Sequence, residues 1–291
     1  MPASMTDHMR HNAIRSSSWM DLKNRKVFRE EFLKLPSKGV SGNGLGQWTN
    51  SATDLSNIAS GYNEWFEASA TTANALTVAF YGGLGGGIKL STAQTAQGDD
   101  AVLRPITQAT AQYFMGTKAT NFDLNLGYSF WLTWAWSRQA PVGTTTNDIF
   151  QGCGWGSSSA AGASGVISAA STTNDTDQVL FVWQPALHPN LRLYTCSDGT
   201  GTYYDLGIVP TLNVPMTCSL KYLADSSAGG YFDVFVNGDY RLTTTTVNRK
   251  TDDTGDGVIP VPFAFIETRS SVVEGTSLAV HGVEYEIDYT T

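Results

Sequence analysis

The stretch from Gly127 to Ser137, GYSFWLTWAWS, places Phe130, Trp131, Trp134 and Trp136 in one short run and so limits the folds open to this chain. At period two, Phe130, Leu132, Trp134 and Trp136 share one face, and Trp131, Thr133, Ala135 and Ser137 share the other. A helix would scatter these aromatics around its axis, whereas a central strand of a two-sheet sandwich needs bulky residues on the core side and mixed residues on the opposite side. The segment is therefore read as the core strand of a large β-sandwich. The alternative is an aromatic platform for sugar rings or bases on the Trp131 face.

Shorter alternating segments recur along the 291 residues. Candidate strands fall at 64–69, 76–81, 87–91, 100–104, 148–156, 179–184, 191–197, 203–209, 216–223, 262–267 and 278–289, without a βαβ rhythm or an internal repeat. YFDVFVNGDYRL predicts a type I′ hairpin: Phe232, Val234 and Val236 share a face, Asn237-Gly238 turns the chain, and Tyr240 and Leu242 return. Segments 87–91 and 100–104 read as a long hairpin, and 148–156 reads as the antiparallel neighbour of the aromatic strand. The glycines of AFYGGLGGGIKL precede strand-like alternation rather than a helix start, so they predict a bend between strands and not a phosphate loop.

The N-terminal region differs. Residues 1–40 hold eight of the 18 basic residues and four of the 26 acidic ones, so a +4 segment precedes a −12 remainder. Ser18 and Asp21 resemble a capping box, and Phe28, Phe32 and Leu35 repeat at helical spacing before Pro36. This predicts an amphipathic helix over 19–34, with a strand over 27–34 as the competing reading, in an arm (1–40) preceding a β-sandwich (41–291). The acidic remainder argues against nucleic acid as partner, since phosphate binding needs clustered Lys and Arg. No run of 18 apolar residues and no leader-like apolar core are present, which predicts a soluble protein without a membrane partner.

Candidate chemistry is sparse. Glu284, Glu286 and Asp288 alternate onto one strand face, with neighbours about 6.5–7 Å apart, near the separation used by glycosidases. The competing reading is an exposed acidic edge strand. Asp252, Thr254 and Asp256 open a D-x-T-x-D-G calcium-loop pattern, but its twelfth position is Phe263 instead of a bidentate Glu, which favours a solvated turn. His8 and His11 lie in the arm, and His188 and His281 read as isolated surface or hairpin residues. Cys153, Cys196 and Cys218 show no C-x-x-C spacing, so buried thiols or one disulfide are expected. No cofactor is implied.

Taken as a set, GGIKLSTAQTAQGDDAVL, the aromatic strand followed by DIFQGCGWG, QVLFVWQ, YFDVFVNG and the closing VEYEIDY run resemble concanavalin A-like jelly-roll virion proteins of tailed bacteriophages, over about residues 80–291. The resemblance implies an all-β jelly roll that decorates the outer capsid surface, commonly as a trimer. It would bind the major capsid protein and pass through the host cytoplasm during assembly. Trp19, Arg25, Lys26, Phe28, Arg29 and Phe32 are then the expected capsid or subunit contacts in the arm. Glycosidases sharing this fold carry E-x-D-x-x-E or E-x-D-x-E in mid-chain, whereas here the order is E-x-E-x-D near the end. A non-enzymatic role is therefore expected. The alternatives are a glycan-binding adhesin or tail module using Trp131, Trp155 or Trp183, with host-surface glycans as partners, and a glycoside hydrolase.

Overall fold

The structure is a computed structural model that describes residues 17–22, 25–33, 35–40, 66–70, 76–92, 100–105, 129–139, 149–157, 177–197, 200–223, 231–244, 260–269 and 277–288. The described residues form seventeen strands and no helix. In chain order these are β1 (Ser17–Leu22), β2 (Arg25–Glu30), β3 (Ser37–Val40), β4 (Phe66–Ala70), β5 (Leu76–Phe80), β6 (Ile88–Thr92), β7 (Asp100–Pro105), β8 (Ser129–Arg138) and β9 (Ile149–Ser157). They continue with β10 (Asp177–Gln184), β11 (His188–Ser197), β12 (Thr200–Ile208), β13 (Met216–Leu223), β14 (Tyr231–Val236), β15 (Asp239–Thr244), β16 (Pro260–Thr268) and β17 (Ser277–Asp288).

Two sheets result. The front sheet runs β1-β2-β17-β8-β13-β14-β15, with β6 beside β17 and β5 beside β6. The back sheet runs β12-β11-β10-β9-β16-β7-β4-β3. All pairs are antiparallel except β3–β4. The expected jelly-roll-type sandwich is therefore present in its all-β, two-sheet form.

The core lies between the sheets. Leu132, Trp134 and Trp136 of β8 meet Cys153, Phe181 and Trp183 of the back sheet in one buried cluster. The Trp134 indole bridges the layers by donating to the Gly154 carbonyl at 3.1 Å. Burying a large apolar side chain contributes about 1.5–3 kcal/mol, so the period-two pattern of the aromatic strand is a packing requirement. A second apolar cluster, including Phe150, Leu180, Val182 and Phe265, is buried on the outer side of the back sheet. There β9 presents Gly152 and Gly154, where a Cβ would overlap the carbonyl oxygens of Phe181 and Val179.

Four expectations change. The helix over 19–34 is replaced by an antiparallel pair, β1–β2, in register Trp19↔Phe28. β2 then adds to β17 with Phe28 opposite Tyr285 and Arg29 opposite Glu284. Hydrogen bonding to β17 satisfies the β2 backbone and overrides a spacing that fits either helix or strand. The arm over its described residues thus belongs to both sheets: Phe28 and Phe32 are 0% and 1% exposed in the main core, and β3 edges the back sheet.

Next, β6 pairs with β5 and β17, not with β7. Nor does β9 pair with β8: it lies in the opposite sheet between β10 and β16. Finally, β17 is not an edge strand, because β8 flanks one side along its length while β6 and β2 share the other in tandem. The Asn237-Gly238 hairpin is as expected, with φ of 53° and 84°. The bend between β5 and β6 is as expected too, with Gly85, Gly86 and Gly87 at positive φ. No helix among the described residues is long and apolar enough to cross a membrane.

Candidate functional site

Alternation leaves every second side chain on the outer face of the front sheet half-buried between buried neighbours, from Trp131 to Ala135 on β8 and along β13 and β14. Register aligns these outward positions into two rows. One runs Glu286, Trp131, Lys221, Asp233, Thr243 across β17, β8, β13, β14 and β15. The other runs Arg29, Glu284, Thr133, Ser219, Phe235, Tyr240, starting on β2.

Trp131 is the centre of this face. Its ring lies 5.3 Å from that of Phe235, which in turn lies 5.8 Å from Tyr240. Lys221 Nζ sits 5.2 Å from the Trp131 ring. A cation over an indole lowers the cost of holding both at a surface and fixes the ring orientation.

Around the aromatics stand paired hydroxyls and carboxylates. Thr133 and Ser219 share a hydrogen bond at 2.9 Å, and the Thr243 hydroxyl donates to Asp233 at 2.6 Å. Tyr240 reaches Thr243 at 2.8 Å. Glu284, with its side chain 39% exposed, lies 4.0 Å from Arg29 Nε, which also contacts Glu31 at 3.1 Å. The face therefore offers an apolar ring bordered by donors and acceptors on a rigid sheet, an arrangement that suits a polyhydroxylated ligand with one apolar side.

The residues singled out from sequence separate sharply. Trp131 is on this face, but Trp155 and Trp183 are 2% and 0% exposed within the core and cannot contact a glycan. They are core residues because they occupy inward positions of back-sheet strands opposite β8. Among the expected arm contacts, Phe28 and Phe32 are buried and Arg29 joins the outer face beside Glu284. Trp19, Arg25 and Lys26 are strand positions opposite Phe28, Leu22 and Asp21.

Asp252, Thr254, Asp256, His8 and His11 lie outside the described residues. Cys153 and Cys218 are free and buried. Burial first, and then the neighbouring Cys218, pushes the Cys153 thiol well up from its ordinary value. Cys196 is a β11 position opposite Gln178 and Gly201. Sequence reasoning passed over Lys221, Asp233 and Phe235. The hairpin pattern that turned Phe232, Val234 and Val236 inward also implied that Asp233 and Phe235 face outward.

His281 is not an isolated surface residue. It occupies an irregularity in the β17–β8 register between Val280 and Gly282, where an extra residue re-aims its side chain. Its Nδ1 is 2.6 Å from the Gly86 carbonyl oxygen and its Nε2 is 2.9 Å from Ser137 Oγ. A carbonyl only accepts, so Nδ1 carries the proton and Nε2 accepts from the Ser137 hydroxyl. Gln139 Nε2 donates to Ser137 Oγ at 2.9 Å, completing the chain. Burial holds the imidazole below its ordinary pKa, partly offset by the Gly86 carbonyl. Ser137 is itself buried, which makes the relay a clasp between β8, β17 and the β5–β6 loop.

On β12, Asp205 is held below the usual carboxylate range by the Gly207 N–H at 2.7 Å and by Asn190.

No family model and no curated protein matches the chain. Solved structures similar in shape include an endo-1,3-β-glucanase from Streptomyces sioyaensis, at 9% identity over 93% of this chain and 99% of that one, TM-score 0.49. The Emp47p carbohydrate recognition domain is 12% identical over 74% of this chain and 89% of its own, TM-score 0.41. A carbohydrate esterase from the Shiga toxin-encoding bacteriophage phi24B is 15% identical over 77% and 90%, TM-score 0.42. Those activities belong to those proteins. What this chain's own strands define is an all-β sandwich with one solvent-facing sheet surface built around an aromatic residue.

Proposed function

We propose that the protein is a non-enzymatic carbohydrate-binding module that lays a glycan across the outer face of the front sheet. The observation that supports this reading is Trp131, a half-buried indole between Lys221 and Glu286, with Thr133, Ser219 and Asp233 within reach of a ring stacked on it. Sugar rings present C–H faces that pack on aromatic rings, and hydroxyls that need several donors and acceptors.

A glycan array probed with the full chain is expected to give selective, saturable binding. Trp131→Ala weakens that binding by about tenfold or more and leaves the unfolding midpoint nearly unchanged. Absence of binding to every oligosaccharide would sink the reading. Hydrolysis of a bound polysaccharide that a Glu284→Gln, Glu286→Gln double variant abolishes would move the assignment to a glycoside hydrolase.

A second reading, a virion decoration protein on the outer capsid surface, is favoured by a different feature. Phe80 at the end of β5, Leu84 on the β5–β6 loop, and Val209, Leu212 and Val214 on the β12–β13 loop are exposed. These loops meet where a Cβ on Gly85 would lie 3.1 Å from Pro215. Residues 80–87 and 209–215 carry no charge in a chain of net charge −8, so this end suits a major capsid protein or a second copy. With Phe28 and Phe32 buried, the contact shifts from the arm to these loops. Leu84→Asp with Val214→Asp should lower occupancy on purified particles, counted by mass spectrometry, and unchanged occupancy would exclude the loops as the contact.

A further inference from the structure

Among the described residues, Arg138 and Gln151 stand inside the sandwich with hydrogen-bonding capacity unused. Arg138 closes β8 on the inward side of the strand, is 8% exposed, and places its guanidinium carbon 4.8 Å from the Trp183 ring centroid on the facing sheet. Its Nε and Nη1 are buried without a hydrogen-bond partner. From the back sheet, Gln151 of β9 is fully buried directly opposite Trp183 in register, and both of its amide atoms lack a partner. The Trp183 indole is itself satisfied, donating to the Pro189 carbonyl at 3.0 Å. Unused polar groups, one from each sheet, therefore neighbour the same tryptophan.

An arginine remains protonated at any working pH and has only donors, so a guanidinium whose Nε and Nη1 are shut off from water is best stabilised by a negatively charged acceptor. Stacking on Trp183 stabilises its face but supplies no acceptor for its in-plane N–H groups. A water molecule would accept a hydrogen bond without neutralising the charge. Two separate unpaired N–H directions on Arg138 and a third donor on Gln151 call for several acceptor atoms, which a single halide does not provide. Burial alone also lowers the pKa of Arg138, in keeping with a site that disfavours the uncompensated cation.

We propose that the sandwich binds a small oxyanion or carboxylate between its sheets, held by the Arg138 guanidinium and the Gln151 amide beside Trp183. The ligand bridges β8 of the front sheet to β9 and β10 of the back sheet, and the site is independent of the outer face assigned to glycans.

The test uses the full chain in a gluconate buffer at constant ionic strength, with gluconate replaced stepwise by nitrate, formate or chloride. Nitrate and formate should raise the unfolding midpoint saturably, with chloride the weakest. Nitrate should also quench part of the tryptophan emission, and that part should disappear in Trp183→Phe. Arg138→Met should lose the anion dependence while unfolding at or above the wild-type midpoint in gluconate alone, a carboxylate too bulky for an inter-sheet site, since it removes an unpaired buried charge. Gln151→Leu should need about tenfold more nitrate for the same shift, and it serves as the second variant if Arg138→Met does not fold. A wild-type midpoint indifferent to all three anions would overturn the proposal, pointing to water or a carboxylate of the chain as the partner of Arg138. A nitrate response unchanged in both Arg138→Met and Gln151→Leu would overturn it as well, by placing the anion elsewhere.

Discussion

The two outer faces of the sandwich are built from the same kind of strand and meet opposite fates. On the front sheet, β13 alternates buried and half-buried along MTCSLKYL, and its outward residues Thr217, Ser219 and Lys221 stay partly open. On the back sheet, β10 and β16 are buried at nearly every position: Val179 to Trp183 and Phe263 to Ile266 are all within 1% exposure. A strand covered on one face reads as alternation and a strand covered on both reads as a continuous apolar run. VLFVW and FAFI are such runs, whereas FWLTWAWS keeps its polar interleaving. At β10 and β16 the back sheet is thus covered on both sides, whereas β13 and its neighbours β8 and β14 keep a partly open outer face.

The strongest challenge to this contrast is a core residue of the platform strand itself. Trp134→Ala should cost about 3–5 kcal/mol in urea unfolding, because Trp134 fills the inter-sheet space and its indole bond to Gly154 is lost. A cost near that of a surface change would mean that the sheets do not pack through β8.

Equivalent outward positions provide a sharper comparison. Leu180→Ala on the back sheet should cost about 2–5 kcal/mol, whereas Phe235→Ala on the front sheet should cost about 1 kcal/mol. Equal losses would erase the distinction between the two faces.

The smallest effect concerns the clasp at the end of β8. His281 has a folded pKa below its unfolded value near 6.5, so the neutral, hydrogen-bonded form contributes stability above that value. The contribution is lost as pH falls below about 6.5, as the proton is taken up more readily by the unfolded chain. The described groups facing the imidazole are Ser137, Gly86, Gly85 and Tyr81, and none of them is a carboxylate that would counter this direction. Urea midpoints measured from pH 7.5 to 5 should therefore fall more steeply for wild type than for His281→Asn. Parallel curves would show that His281 does not titrate with folding. Asp205, held down by Gly207 and Asn190, acts in the lower carboxylate range and leaves this difference undisturbed.

Much of the strand inventory was legible because side-chain alternation is a local property. The aromatic strand, the Asn237-Gly238 hairpin and the glycine bend all follow from short-range geometry, and each stands where its residues imply. The outward placement of Trp131 follows from the same parity. The N-terminal misreading has a local cause as well: Phe28 and Phe32 fit a helix as well as a strand, and only the free side of β17 decided between them.

What local pattern could not specify was pairing. Ladder hydrogen bonds are made by backbone groups that every residue shares, so nothing in DIFQGCGWG tells whether β9 lies beside β8 or across from it. The same limit hid part of the sorting of the tryptophans: parity set Trp131 against Trp134 and Trp136, but nothing local showed that Trp155 and Trp183 would be covered by the opposite sheet. The chain's residues alone dictate its all-β character, its turns and the parity of each strand. The two-sheet assembly decides which parity meets solvent, which glutamates come to flank Trp131, and that Arg138 and Gln151 both neighbour Trp183, because burial depends on layers brought together from distant parts of the chain.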